Sequence, residues 1–188
     1  MARGFVVDGL DSFVTKLVSD GARASLFEAN IDMVGKQNAG SAKNFNFMCK
    51  GIQIPSNAIG ITTVMYKGRA VKLPGNRTYE DLTTTILNDE GYILRNMVEN
   101  WMSNLNSHWG NIRGADYMKK LGGAKGYTST MQLKSFSKTG VQDGDSWEFK
   151  NCWPTSLDQI DVNWEPNDSI MEYTVTWAYD YWKTVSAT

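Results

Sequence analysis

Histidine is almost missing from this chain. His108 is the single imidazole in 188 residues and stands in a polar stretch, so a histidine triad or a histidine-rich metal centre has nothing to be built from. Cysteine is nearly as scarce: Cys49 and Cys152 lie far apart, each beside apolar or aromatic neighbours. That spacing excludes a zinc knuckle or a redox pair and marks both as reduced core residues. No apolar run approaches membrane-spanning length, and the opening residues meet a charge before any apolar region forms. A soluble protein made in the cytoplasm is expected, in which the sequons at Asn76 and Asn167 are chance matches. An excess charge of either sign is lacking too. Nineteen bases against 20 acids leave −1, which removes the positive field of proteins that grip nucleic acid.

Reactive constellations are equally thin. The glycines of residues 121–128 hint at a phosphate loop, but lysine precedes glycine there and a strand follows, so a connector is the better reading. Asp143 and Asp145 flank Gly144 without the glutamate that would complete a calcium loop; a solvated turn accounts for them. Seven tryptophans and eight tyrosines could stack bases or sugars, yet Trp153, Trp164, Trp177 and Trp182 lie in an acidic part of the chain rather than a basic groove. Core and subunit contact suit them better. No catalytic residue, metal ligand or cofactor site is expected.

What is present is β periodicity. From Met171 the odd positions (Met171, Tyr173, Val175, Trp177, Tyr179, Tyr181) are apolar or aromatic, while the even ones are polar or small. Eleven residues at about 3.3 Å each predict one strand of about 36 Å. Shorter alternations at Phe27, Ala29, Ile31 and Met33, at Phe45, Phe47 and Cys49, at Leu82, Thr84 and Ile86, at Trp147 and Phe149, and at Ile160, Val162 and Trp164 predict a mainly β chain. Residues 127–136 read as a strand joined to the one at Trp147 by a turn carrying Gly140 and Gly144. The exception is residues 90–106, where Ile93, Met97, Trp101 and Leu105 recur every four residues after a possible cap at Asn88 or Asp89. This predicts one helix lying over a sheet. A single domain over residues 1–188 is expected, with residues 1–24 an N-terminal arm and 107–126 an extended loop.

Charge is unevenly spread. Residues 111–140 hold six bases (Arg113, Lys119, Lys120, Lys125, Lys134, Lys138) against Asp116, whereas residues 141–182 hold nine acids, among them Asp143, Asp145, Asp158 and Asp161, against Lys150. Opposite-sign surfaces on one chain favour head-to-tail association, and Arg113, Lys119, Lys120, Asp143, Asp145, Asp158 and Asp161 are the assembly candidates. Pairing within the chain or plain solvation is the competing account.

Residues 26–31 (Leu-Phe-Glu-Ala-Asn-Ile), 45–50 followed by Ile54-Pro55, 75–82 (Gly-Asn-Arg-Thr-Tyr-Glu-Asp-Leu), 86–90, 152–157 (Cys-Trp-Pro-Thr-Ser-Leu), 162–164 and 178–182 (Ala-Tyr-Asp-Tyr-Trp) together resemble, in order and spacing, the tail tube proteins of T4-like contractile-tailed bacteriophages. The resemblance implies a β-sandwich or barrel-like subunit with a flanking helix. It further implies hexameric rings whose inner sheets join into one continuous β-barrel, stacked into a tube inside a contractile sheath, capped by baseplate and terminator proteins and traversed by viral DNA. It also implies location in the virion tail after assembly in the bacterial host. A conduit should not hold its cargo, so its lumen should be acidic or neutral; Glu148, with Lys150 as compensating charge, is the lumen-facing candidate. The alternatives are a tube or tube-initiator protein of a phage-like injection system, a type VI secretion-like ring protein, and a sugar- or nucleic-acid-binding β-module.

Overall fold

The computed structural model describes residues 22–31, 41–113, 126–138, 140, 145–164 and 169–185. The chain is mainly β. Its elements in order are β1 (Phe27–Ile31), α1 (Ser41–Met48), β2 (Cys49–Gln53), β3 (Asn57–Tyr66), β4 (Arg69–Tyr79), β5 (Leu82–Leu87), α2 (Ile93–Leu105), β6 (Ser129–Ser135), β7 (Ser146–Leu157), β8 (Glu172–Ala178) and β9 (Tyr181–Val185). Seven strands form one antiparallel sheet in the order β1-β6-β7-β8-β5-β2, with β9 also on β7; β3 and β4 form a hairpin of their own. No helix among the described residues is long and apolar enough to cross a membrane.

Strand β7 organises the sheet. Its first half pairs with β6 and β9 (Gln132↔Glu148↔Lys183), and its second half pairs with β8 (Trp153↔Ala178). Between them Asn151 takes a left-handed conformation (φ 59°), and the chain opposite it turns a matching corner. There the Asp180 N–H donates to the Lys150 carbonyl at 3.0 Å, and Asn151 Nδ2 donates to Asp180 Oδ2 at 2.5 Å. This corner corrects the expected 11-residue strand from Met171: β8 ends at Ala178 and β9 starts at Tyr181. The alternation changes phase across the break, so that Tyr173, Val175 and Trp177 are buried from β8 whereas Trp182, an even position, packs inward from β9.

The core gathers the apolar faces that β periodicity assigned, Ala29, Ile31, Leu82, Ile86, Phe149, Val175 and Trp177, in one buried cluster with Met131 and Leu133 of β6. Over it lies α2, the helix expected near residues 90–106, burying Leu94, Met97, Val98 and Trp101. Trp101 and Trp177 pack with ring centroids 5.8 Å apart and planes tilted by 57°, and the Trp101 indole donates to the Tyr127 carbonyl at 2.9 Å. The cap differs in detail. Tyr92 is the cap residue, with φ 52°, while the Asp89 carboxylate accepts the Ile93 N–H at 3.1 and 3.2 Å.

Two expectations are overturned. Phe45, Phe47 and Cys49 do not alternate along a strand, because Phe45 and Phe47 lie in a second helix, α1, leading into β2. Phe45, Met48 and Cys49 also satisfy the i, i+3, i+4 spacing of a helix face; Phe45 is buried edge-on against Trp177 while Phe47 is left in solvent. Ile160, Val162 and Trp164 form no strand but a connection in which Ile160 packs partly buried against the core, Val162 is exposed and Trp164 is fully in solvent. Both cysteines are free and buried, and burial pushes their thiols up to about 11 for Cys49 and about 12 for Cys152.

Candidate assembly surfaces

The most unusual part of the molecule is one that periodicity alone did not single out. Strands β3 and β4 form a long hairpin whose register runs from Asn57↔Tyr79 to Tyr66↔Arg69. Its tip is Lys67-Gly68, with φ of 47° and 79°: two consecutive left-handed residues, the type I′ geometry that matches strand twist and that glycine makes accessible. Between Ile59 and Ile61 the register slips, and there Gly75 lies so near the Gly60 carbonyl that a Cβ would sit 3.1 Å from it. Every residue of β3 is exposed, as is most of β4.

This hairpin is an arm. One face presents Val64, Tyr66, Val71 and Leu73; the other presents Ile61, Met65, Ala70 and Pro74. A two-stranded ribbon with apolar residues on both faces and no sheet beneath it is poorly stable in water by itself. Its root, by contrast, is well held. Glu80 N–H donates to the Ser56 carbonyl at 3.3 Å, the Tyr79 ring packs edge-on against Tyr179 and Trp182, and the Tyr179 hydroxyl donates to the Glu80 carbonyl at 2.6 Å. The arm carries Lys67, Arg69, Lys72 and Arg77 and no acid.

The sheet has two polar faces of different character. On the β1-β6-β7-β9 part, Glu148 projects opposite the buried Phe149 and receives Lys150 Nζ at 2.6 Å and Lys183 Nζ at 2.9 Å. The hydrogen bond from Lys150, then that from Lys183, holds the Glu148 carboxyl below its ordinary 4.5. The structure thus brings Glu148 and Lys150 together and adds Lys183, a β9 residue across the register. On the β5-β8 part, Thr83 pairs with Thr176 and Thr85 with Thr174, and Thr155 donates its hydroxyl to the Thr176 carbonyl at 3.1 Å. That face is hydroxyl-rich, with Glu172 at its end paired with Lys50 at 2.5 Å.

Other candidates from the charge pattern are scattered. Asp158 and Asp161 share the exposed connection after β7, where Asp161 accepts from Gln159 at 3.4 Å and the Asp158 carbonyl accepts from Arg95 at 3.2 Å. Asp145 precedes β7, and Arg113 follows α2; both are exposed. Lys119, Lys120 and Asp143 lie outside the described residues, as do the N-terminal arm up to residue 21 and the loop at 114–125. The arm itself had a signal: a Lys-Gly pair between two β-prone runs free of acids.

The family model for phage tail tube proteins matches residues 13–185. The chain belongs to the phage tail tube protein family. This tail tube protein is 27% identical over 164 residues to the tail tube protein gp19 of Enterobacteria phage T4, covering 87% of this chain and 92% of that protein; the phage T6 protein matches with the same figures. Among solved structures, its fold is similar to a chain of the anti-feeding prophage tube-terminating cap (TM-score 0.62, 14% identity, 98% of this chain and 100% of that one). A chain of the sheath-tube complex of an extracellular contractile injection system, PVC, in its extended state is also similar (TM-score 0.57, 16% identity, 93% and 97%). The tail tube protein is therefore a structural component of a contractile tail, with the tube fold that its sequence resemblance implied.

Proposed function

We propose that this tail tube protein assembles as hexameric rings that stack into the inner tube of a contractile tail, through which viral DNA passes. The observation that carries the reading is the arm, which exposes apolar residues on both faces of a ribbon that no other described residues of its own subunit cover. A second copy can cover it; solvent cannot do so without cost. The sheet supports the ring. Its path ends in β1 and β2, whose outer edges pair with no other strand among the described residues, and pairing between neighbouring subunits would close them. The sheath, baseplate and terminator proteins are its partners in this reading, supported by the complexes in which its structural neighbours occur. It is a scaffold rather than an enzyme, assembled in the host cytoplasm.

The lumen wall is a polar, weakly adhesive face. Glu148 and Lys150 are its candidates, self-neutralised by ion pairs that leave less free cation for phosphate. Lys183 favours a second reading, because it tips that cluster to a net positive charge; the threonine face of β5 and β8 carries no excess base, since its Glu172 is paired with Lys50. Negative-stain and cryo-electron microscopy of the purified protein test both levels. Stacked rings with an open channel are expected, with one of these two faces on the channel; dispersed monomers at high concentration overturn the assembly.

A further inference from the structure

The arm and its docking surface sit at opposite ends of the same sheet. The arm leaves from the end where Gln53 pairs with Thr83 and Leu82 with Trp177. At the far end of β5, Leu87 pairs with Glu172. Asp158 belongs to that far end as well, since its N–H donates to the Thr174 carbonyl at 2.9 Å. Asp89 and Glu90 follow directly after β5, and Asn88 is bonded to Met171.

The far end is the chemical complement of the arm. It gathers Asp89, Glu90, Asp158, Asp161 and Glu172, while its bases are already engaged: Lys50 with Glu172, and Arg95 with Glu99 and the Asp158 carbonyl. Exposed apolar groups are interleaved with these acids, among them Ile93, Val162, Trp164 and Ile170. A groove of about 580 Å³ opens there, lined by Thr85, Leu157, Asp158, Gln159, Glu172, Tyr173 and Thr174. Tyr173, only 2% exposed, keeps a hydroxyl without a hydrogen-bond partner in that lining.

We infer that the basic tip of the arm, Tyr66-Lys67-Gly68-Arg69, docks in the acidic groove around Asp158 and Glu172 of a second copy of this chain. The inference rests on the self-assembly proposed above and deepens it by naming the two surfaces. Donor and acceptor at opposite ends of one sheet make a heterologous contact that does not close on two copies, so each subunit that receives an arm offers its own to the next. Strands of 10 residues at about 3.3 Å each reach about 33 Å, enough to span from one subunit into another. Two cationic side chains at the tip meet the carboxylates of Asp158 and Asp161, beside the Lys50–Glu172 pair, while the arm's apolar faces meet the exposed apolar groups of the rim.

Charge reversal tests it. The arm variant K67E/R69E and the groove variant D158K/D161K change exposed residues, so each should stay a folded monomer by circular dichroism. Each alone should raise the critical concentration for tube formation by about tenfold or more. Mixed in equal amounts, the two should regain tubes by alternating, because the basic arm fits the acidic groove and the acidic arm fits the basic one. The four-fold variant carrying both reversals should regain tubes. Single variants that polymerise like the wild type, or a combined variant that stays disassembled while the wild type forms tubes, overturn the pairing of these surfaces and leave the tube reading standing. A wild type that never assembles overturns both.

Discussion

At the residue scale, the centre of the fold is a short polar chain buried among rings. Trp177 is fully buried between Phe45 and Trp101, and its indole N–H donates to the Thr84 hydroxyl at 2.9 Å. That hydroxyl in turn donates to the Val175 carbonyl at 3.4 Å. Thr84 is thus the buried polar residue that lets a tryptophan sit where no water reaches. Substituting Thr84→Val keeps the shape and removes the acceptor, leaving the indole N–H unpaired. Stability should fall by about 1 to 3 kcal/mol. For a chain of this size that is a loss of about 2 to 4 °C in Tm per kcal/mol, measurable by thermal or urea unfolding of the subunit. A variant as stable as the wild type would show that the indole finds another acceptor.

At the scale of elements, folding and assembly are divided between different parts of the chain. Core, α2 and the seven-stranded sheet bury the apolar residues; the arm buries almost none beyond Tyr79 at its root. Replacing residues 59–77 by a short glycine-serine turn, with Tyr79 retained, should therefore leave a folded monomer whose Tm moves by only a few degrees, while tubes no longer form. Sedimentation and microscopy read the second effect, and a collapse of the fold would refute the division. This division also explains what was legible in the sequence. Strands buried on one face, such as β5, β6 and β8, announce themselves by alternation because one side meets the core. The arm does not, because its apolar residues serve both faces and Gly60 and Gly75 shift the register midway. The corner at Asn151 was illegible for another reason: the left-handed residue in β7 breaks β8 from β9, so the cause lies some 30 residues from the effect. Phe45 could be read with period 2 or with helical spacing, and only the rings of Trp177 decide between them.

At the scale of the whole molecule, a near-zero net charge conceals a dipolar one. The arm holds four bases and no acid, so with a whole-chain charge of −1 the remaining residues carry −5. The charge pattern pointed to residues 111–140 as the basic partner of the acidic part, yet most bases of that stretch fall outside the described residues or, like Lys134, on the sheet. Among the described residues, the arm is the concentrated positive surface. Between separate subunits such charges act through solvent and are screened by salt. The screening length shrinks from about 10 Å at 0.1 M to about 3 Å at 1 M. Raising sodium chloride over that range should therefore raise the critical concentration for tube growth several-fold, read by turbidity or by mean tube length in micrographs. The apolar faces of the arm set the competing expectation, since burial of Val64, Val71 and Leu73 is insensitive to sodium chloride or strengthened by it. Tube length that stays constant across the range would mean that these side chains dominate association and that the arm's four bases serve only to orient the approach.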